Sequence, residues 1–600
     1  MSTQPDFTTR PEIRGHFGAV ATTHWLATGV AMSVLERGGN AFDAAVAAGF
    51  TLQVAEPHLN GPGGEMPALF YAANEGRVRV LSAQGTAPAG ATIDTFSDLG
   101  LDLIPGSGLL PAVVPGAFDG WLMMLRDYGT MRLSEVLGYA IDYAEKGVPV
   151  LPKMAIFMAR VEELFKNEWP TSAAVFLPGG RAPRAGEWFC NPALAATYRK
   201  ILAEAEAAPG GREGEIKAAR RAWYQGWVAD AVDRFYGGEP LLDSSGRAHR
   251  GLMTGQDIAS WSAHYEDPVS TDFGQYTVQK CGFWSQGPVM LQQLGLLRGM
   301  DLAGMAPDGP DFVHTYVEAT KLAFADREAW YGDPDFTDVP AATLLSEEYA
   351  AERRALIGAT ASMELTPGSP DGRVPDISAA LAPNGDTGPI GHYWALGEPT
   401  VSADGTSRGD TVHLDVTDRW GNMVAATPSG GWLQSAPVVP ELGFCMSVRA
   451  QMFWLDPGAA AALAPGKRPR TTLSPSMALR DGQPYLAWGT PGGDQQDQWS
   501  TWFFLQHVVH GRNLQAAIDA PSLHSDHAPS SFWPRGRYPG QLSIEGRFPQ
   551  ATLEELERRG HKLVVGAPWS EGRLSAVARD GEILKAGSNA RGMQGYAAGR

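Results

Sequence analysis

Cysteine is almost absent from this chain of 600 residues: Cys190, Cys281 and Cys445 are the whole complement. Few, odd in number and far apart, they make neither a disulfide framework nor a Cys-rich metal site, and inert buried thiols are expected. Positive charge is also in deficit. Lys and Arg number 48 against 66 Asp and Glu, a formal net charge of −18. This argues against nucleic acid as a partner, since phosphate binding needs a basic surface. No stretch is long and apolar enough to span a bilayer, and the opening MSTQPDFTTRPEIRG has no apolar signal-peptide core. No membrane partner is expected, and cytoplasm is the expected location. HExxH, paired CxxC and Walker loops are missing, and the histidines show no ligand spacing, so neither a metal nor a cofactor is expected. What remains is a globular composition, 44% hydrophobic and 19% charged, long enough for several domains or one large layered α/β unit.

From Gly18 to Pro57 the pattern reads as helical. An apolar run, Ala27 to Leu35, stops at Gly38-Gly39. Asn40 with Asp43 three residues on resembles a capping box, and Ala44 to Val54 is apolar enough for a buried helix. A Gly-rich loop, His58 to Glu65, follows; without a strand before it, it is not a dinucleotide fingerprint. Val78 to Ala83 reads as a strand, residues 112–165 as mainly helical, 205–222 as a solvated helical face, and Phe312 to Trp330 as a helix. Residues 365–410, rich in Pro, Gly, Asp and Ser, read as a long flexible linker. Beyond it the period changes to two. Thr411 to Thr417 and Met423 to Thr427 form a hairpin about an Asp418–Asn422 turn. Strands at 474–480 and 484–489 and a helix over Gln498 to Val508 come next.

Three clusters carry candidate chemistry. At Asp410-Thr411-Val412-His413 a hydroxyl residue heads a strand just after the linker. Cleavage of the 410/411 bond would give Thr411 a free α-amine beside its own hydroxyl, uniting nucleophile and base in one residue. Trp488-Gly-Thr-Pro-Gly492-Gly493-Asp494 follows a strand and opens toward a helix, a nest of backbone N–H groups suited to an oxyanion, or a plain strand–helix turn. Lys467-Arg-Pro-Arg470-Thr471-Thr472-Leu-Ser474-Pro-Ser476 offers basic groups and hydroxyls for a carboxylate, or a capped polar turn. Gly405-Thr406-Ser407-Arg408-Gly409 fits G-x-S-x-G, but coil before it and strand after it are the wrong context for Ser407 as an α/β-hydrolase nucleophile.

Many ordered stretches resemble the γ-glutamyltransferase (γ-glutamyltranspeptidase) family of N-terminal-nucleophile (Ntn) hydrolases, over roughly Gly15 to Tyr596. They include Gly38-Gly-Asn-Ala-Phe-Asp-Ala-Ala45, Glu56-Pro57, Gly61-Pro-Gly-Gly64 and Thr86-Ala-Pro88. His314 to Arg327, Gly332-Asp-Pro334, Asp410-Thr-Val-His413, Asp418-Arg-Trp-Gly-Asn422, Pro491-Gly-Gly493 and Asn513 to Pro521 complete them. The resemblance implies an α+β fold, a four-layer αββα sandwich. It also implies a precursor self-cleaved between Asp410 and Thr411 into a large subunit, 1–410, and a small one, 411–600. The fragments would stay together as a heterodimer, which could dimerise further. By resemblance Thr411 is the nucleophile, Thr427 and Ser429 are hydroxyls beside it, Gly492 and Gly493 form the oxyanion hole, and Thr471 and Thr472 hold the donor's carboxylate.

The departures lie in the γ-glutamyl pocket. Gln84 falls where the family has a carboxylate-gripping Arg, Gly431 where it has an Asn, and Gln451-Met-Phe-Trp454 where it has acidic residues for an α-amino group. A desolvated ammonium needs a counter-charge, so the acyl donor expected here lacks one, with Arg470 left to hold a carboxylate. The expected function is thus a self-processing amidohydrolase acting on a small-molecule amide with a carboxylate-bearing acyl group. The alternatives are a γ-glutamyltransferase or glutathione hydrolase with a rearranged clamp, and a binding protein that kept the fold and lost the chemistry.

Overall fold

The computed structural model describes residues 7–382, 402–404 and 411–600. Ser407, Asp410 and most of the expected linker lie outside the described residues. Two seven-stranded sheets organise the chain. In chain order their strands are β1 Ile13–Gly15, β2 Gly18–Thr22, β3 Ala68–Ala72, β4 Arg77–Ser82, β5 His264–Glu266, β6 Val269–Phe273 and β7 Tyr276–Lys280. After these come β8 Leu414–Asp418, β9 Met423–Ala426, β10 Ser476–Arg480, β11 Gln483–Gly489, β12 Ser575–Asp580, β13 Ile583–Ser588 and β14 Tyr596–Gly599. One sheet runs β14-β2-β8-β9-β3-β4-β5 and the other β1-β13-β12-β11-β10-β7-β6. An apolar cluster that includes Ala19, Ala21, Met423 and Ala425 from the first sheet and Met477, Ala487, Val577 and Ala586 from the second joins them face to face.

Helices α1 (Trp25–Glu36) and α2 (Ala41–Ala55) pack on the first sheet, and α3 (Pro288–Leu297), backed by α4 (Pro310–Trp330), on the second. The Asn40 side chain accepts from the N–H groups of Phe42 and Asp43, and the Asp43 carboxylate accepts from the Asn40 N–H at 2.9 Å, the reciprocal cap its sequence suggested. All fifteen residues of α2 are buried. Gly49 is needed there, because a Cβ would lie 2.2 Å from the Trp121 ring. The α2 start is also tied to the hairpin turn: Ala41 N–H donates to Asp418 at 2.9 Å, and the same carboxylate accepts from Trp420 and Asn422 N–H.

Several expectations need correction. Gly18–Thr22 is a strand, not helix; its five residues are all buried, paired with β8 on one side and β14 on the other. Ala-rich sequence suits a helix locally, and sheet pairing overrides that preference. Around 205–222 one helix ends at Glu206 and another spans Gly211–Tyr224, burying Ile216, Ala219, Trp223 and Tyr224, so only one side is solvated. Residues 365–382, expected as flexible linker, are pinned to the protein at Leu365, Gly368, Pro370 and Ala380, with most of the rest exposed or half-buried. Leu365 and Ala380 cluster with Trp454, and Gly368 N–H donates to Asp326 at 2.7 Å. Cys281 and Cys445 are buried, whereas Cys190 is exposed. Among the described residues, no helix is long and apolar enough to cross a membrane.

The Gly61–Gly64 loop lies directly on the end of the hairpin. Glu65 N–H donates to the Ser429 carbonyl at 2.8 Å, and Ser429 N–H to the Glu65 carbonyl at 3.0 Å. A Cβ on Gly64 would sit 2.1 Å from the Ser429 oxygen. Gly64→Ala should therefore lift the loop from the hairpin and destabilise the protein by about 1–3 kcal/mol, the usual range for overpacking. Urea unfolding measures this, and an unchanged midpoint would show that the loop docks without the close approach.

Candidate active site

Alternation in the hairpin decides which side chains meet. Val412, Leu414 and Val416 join the core under the helices. Thr411, His413 and Asp415, one residue out of phase, face the second sheet. Leu414 pairs with Ala426, so His413 stands across from Thr427, and Thr411 forms an isolated bridge with Ser429. The regular strand begins at Leu414, three residues later than the sequence pattern suggested.

Thr411 is 1% exposed. Its Oγ1 lies 3.1 Å from Ser429 Oγ and 3.3 Å from the Gly492 carbonyl, to which it donates. The structure thus brings together Thr411, Ser429 and the Pro491-Gly492-Gly493 turn, three sequence-predicted pieces. Gly492 has φ +120°, a backbone conformation that favours glycine. Thr427 is held otherwise: its Oγ1 is 2.9 Å from His413 Nδ1.

His413 heads a buried polar line that sequence reasoning missed. Its Nε2 is 2.9 Å from Asp415 Oδ1, and Ser575 Oγ donates to Asp415 Oδ2 at 2.8 Å. Strand β11 crosses this line at Gly489, where a Cβ would meet the His413 ring at 2.3 Å. Burial pushes the Asp415 carboxyl up to about 6, against the opposing pull of His413 and Ser575.

A second missed pair lies behind Ser429. Arg449 Nη2 donates to Ser429 Oγ at 2.8 Å, and Arg449 Nε stands 3.5 Å from Glu65 Oε2. Both are buried. Burial raises the Glu65 carboxyl and lowers the Arg449 guanidinium, each offset by the other's charge. The signal in the sequence was a lone Arg inside the apolar run Phe444–Trp454.

The expected substrate-binding residues divide. Gln84 is buried and donates to the Gly85 carbonyl at 3.1 Å. Gln451 Nε2 donates to the Val448 carbonyl, and its Oε1 accepts from Trp533 N–H at 3.0 Å. Trp454 lies 4.0 Å beneath the Arg535 guanidinium. Thr471 is built into backbone bonds with Trp284 and Gln286, while the buried Thr472 Oγ1 has no partner among the described residues. Arg470, expected to hold a substrate carboxylate, has its Nη groups taken: Nη2 donates to Glu328 at 2.9 Å and Nη1 to the Arg327 carbonyl at 3.0 Å. Gly431 has φ +65°, and a Cβ there would lie 2.9 Å from the Cys445 carbonyl. The family's Asn is thus excluded by the backbone itself.

His314, Glu318 and His561 place nitrogen and carboxylate atoms within 4.8 Å of one another, a grouping the sequence did not reveal. His314 Nδ1 and His561 Nε2 are already 2.9 Å apart, and Glu318 is engaged by Lys321 and Ser362.

Comparison with known proteins follows the same lines. A family model described as Gamma-glutamyltranspeptidase matches residues 27–599. The oxamate amidohydrolase proenzyme of Klebsiella pneumoniae is 32% identical over 97% of this chain and 98% of its own length. Acylase ACY 1 proenzyme of Pseudomonas sp. (strain SE83) is 31% identical over 94% and 90%. The glutathione hydrolase-like YwrD proenzyme of Bacillus subtilis is 30% identical over 96% and 97%. The solved structure of LmbA2991T421A superposes with a TM-score of 0.94 at 55% identity, covering 99% of this chain and all of its own.

Asp415 gives a pH test. Its folded carboxyl titrates near 6 against an ordinary value of 3.8, so the folded state holds a proton that the unfolded chain has lost. That stabilisation is complete below pH about 4 and disappears as pH rises through about 6, a swing of about 3 kcal/mol. Asp415→Asn, which cannot ionise, should lack this slope in urea unfolding between about pH 4 and pH 7. Equal slopes in both proteins would remove Asp415 from the account.

Proposed function

The chain belongs to the gamma-glutamyltranspeptidase family, and from that premise we propose that it is a self-processing Ntn amidohydrolase working through an acyl-Thr411 intermediate. In this reading the two sheets and their flanking helices form a four-layer αββα sandwich. The chain is cut between 410 and 411, and the pieces 1–410 and 411–600 remain associated as a heterodimer.

The observation that carries the proposal is the position of Thr411 Oγ1, on the inter-sheet face beside Ser429 Oγ and the Gly492-Gly493 turn. Attack by Thr411 Oγ on the Asp410 carbonyl would break the peptide C–N bond, freeing the Thr411 amine and leaving an ester, and water would then cleave that ester to release the Thr411 hydroxyl and an Asp410 carboxylate. In turnover the same hydroxyl attacks an amide carbonyl. Its proton passes through the Thr411 amine to the departing nitrogen, and water then releases the acyl group as a carboxylic acid. The backbone N–H groups of the Gly492-Gly493 turn, which lies beside Thr411 Oγ1, are suited to the tetrahedral oxyanion. Arg449, donating to Ser429, orients the hydroxyl that faces Thr411. Thr427, held by His413, supports the strand head.

The acyl group proposed is small and carboxylate-bearing, without an α-amino group. Gln84, Gly431 and Trp454 support this, because none supplies the charge or shape of a γ-glutamyl clamp. The relatives named as an acylase and an oxamate amidohydrolase fit it. A glutathione hydrolase activity is the second reading, favoured by the relative of that name.

On a denaturing gel the purified wild type should run as two fragments meeting at 410/411. Thr411→Ala should run as one band and release no amine. A single intact wild-type band would sink the proposal. Rapid release of p-nitroaniline from its γ-glutamyl anilide, exceeding that from carboxylate-bearing acyl anilides, would decide for the second reading.

A further inference from the structure

One face of α4 carries His314 and Glu318, four residues apart and so one turn above the other. Against that face stands His561, between the helix Gln550–Arg558 and the strand Lys562–Gly566. All three are buried. Each offers a nitrogen or a carboxylate oxygen within 4.8 Å of the others. Polar groups taken out of water cost free energy unless they are well partnered, and nothing in the acyl-Thr411 chemistry uses these three.

The bonds assign the protons of the group. His314 Nε2 lies 2.9 Å from the Gly358 carbonyl. A carbonyl only accepts, so His314 carries a hydrogen on Nε2. His314 Nδ1 lies 2.9 Å from His561 Nε2, and one hydrogen is shared between those two nitrogens. On the other side of its ring, His561 Nδ1 is buried with no partner among the described residues. A network built only for packing would satisfy that atom too. Two lone-pair positions are thus held together by a single proton.

A metal ion replaces such a proton and adds bonds. Zinc–nitrogen distances of about 2.0–2.1 Å in tetrahedral geometry set two ligand nitrogens about 3.3 Å apart. The His314–His561 spacing is within a few tenths of an ångström of that. His314 also has the backing of a metal-bound imidazole, because its other nitrogen donates to a backbone carbonyl, fixing the ring and directing Nδ1 inward. Glu318 adds a negative charge. Lys321 Nζ is its counter-charge, donating to Glu318 Oε1 at 2.7 Å and to the Ser362 carbonyl at 2.9 Å, and Ser362 N–H donates to Oε2 at 3.1 Å. A carboxylate has further lone pairs, so an ion competes with that ammonium without displacing the whole network. The exposed segment 358–360 offers a way in.

We propose that His314, Glu318 and His561 form a zinc site, with water as the fourth ligand. Two imidazoles and a carboxylate suit zinc, whereas calcium and magnesium take oxygen ligands. On the reading that the chain is cut between 410 and 411, His314 and Glu318 belong to the large piece and His561 to the small one. The ion then ties the two pieces together.

The test uses full-length wild type stripped with EDTA, with zinc and cobalt(II) as probes. Cobalt should give the visible bands of a tetrahedral site, and one equivalent of zinc should abolish them. His314→Ala and His561→Ala should each weaken zinc binding by about 100-fold or more, beyond the loss of an outer-shell partner. Lys321→Met, which removes the competing ammonium, should bind zinc more tightly. Zinc should raise the urea midpoint of the wild type and leave that of His561→Ala unchanged. A wild-type midpoint equal in zinc and in EDTA overturns the proposal. So does equal zinc stabilisation of the wild type and both His variants, which marks binding at other histidines. Should those variants fail to fold, weaker or unchanged binding by Lys321→Met overturns it. Thr411→Ala should take up zinc as the wild type does. Zinc binding by an uncut wild type supports the site and rejects only the link between pieces.

Discussion

The register of the β8–β9 hairpin is the constraint on which the rest of the site depends. Pairing of Leu414 with Ala426 sets Thr411 against Ser429 and His413 against Thr427. Side chains alternate along a strand, so a slip of one residue would turn all four hydroxyl and imidazole groups toward the helices. The register is held from several directions. Asp418 ties off the turn and the start of α2. Apolar residues commit one face to the helical core, and the Glu65–Ser429 bridge anchors the open end. Glycines at 64, 431 and 489 allow the neighbouring backbone and strand to come this close.

Around that hairpin the protein keeps a set of buried polar groups that an ordinary core would not hold. Two kinds can be separated. The His413–Asp415–Ser575 line and the Glu65–Arg449 pair are internally matched, donor to acceptor or charge to charge. They fix the position of hydroxyls near Thr411 rather than offering anything to a ligand. Arg535 and Thr472 keep buried donors with no partner among the described residues. Burial makes these groups rigid where a partner is met and costly where it is not.

Much of the nucleophile's setting was legible in the chain. The capping box at Asn40, the hairpin from period-two alternation, and the helix at Phe312 to Trp330 are local features that short-range rules capture. The strand Gly18–Thr22 was not legible, since Gly-Ala-Val-Ala-Thr suits helix as well as sheet, and only its partners β8 and β14 decide. Arg470 shows the same limit in the site. A motif placed it near two threonines, but whether its guanidinium is idle depends on Glu328, far away in sequence.

By itself, then, the sequence determined that Thr411 lies just ahead of a strand and after a Pro- and Gly-rich segment. Its resemblance to the family also pointed to a Gly-Gly turn as an oxyanion hole and to the missing γ-glutamyl clamp at positions 84, 431 and 454. These are matters of residue type and near-neighbour order. Only the tertiary structure decided which hydroxyl touches Thr411, that residue 431 has no room for a side chain, and that the Arg470 guanidinium is engaged by Glu328. Those outcomes depend on contacts between segments hundreds of residues apart, where burial turns a small difference in partner count into a large difference in free energy.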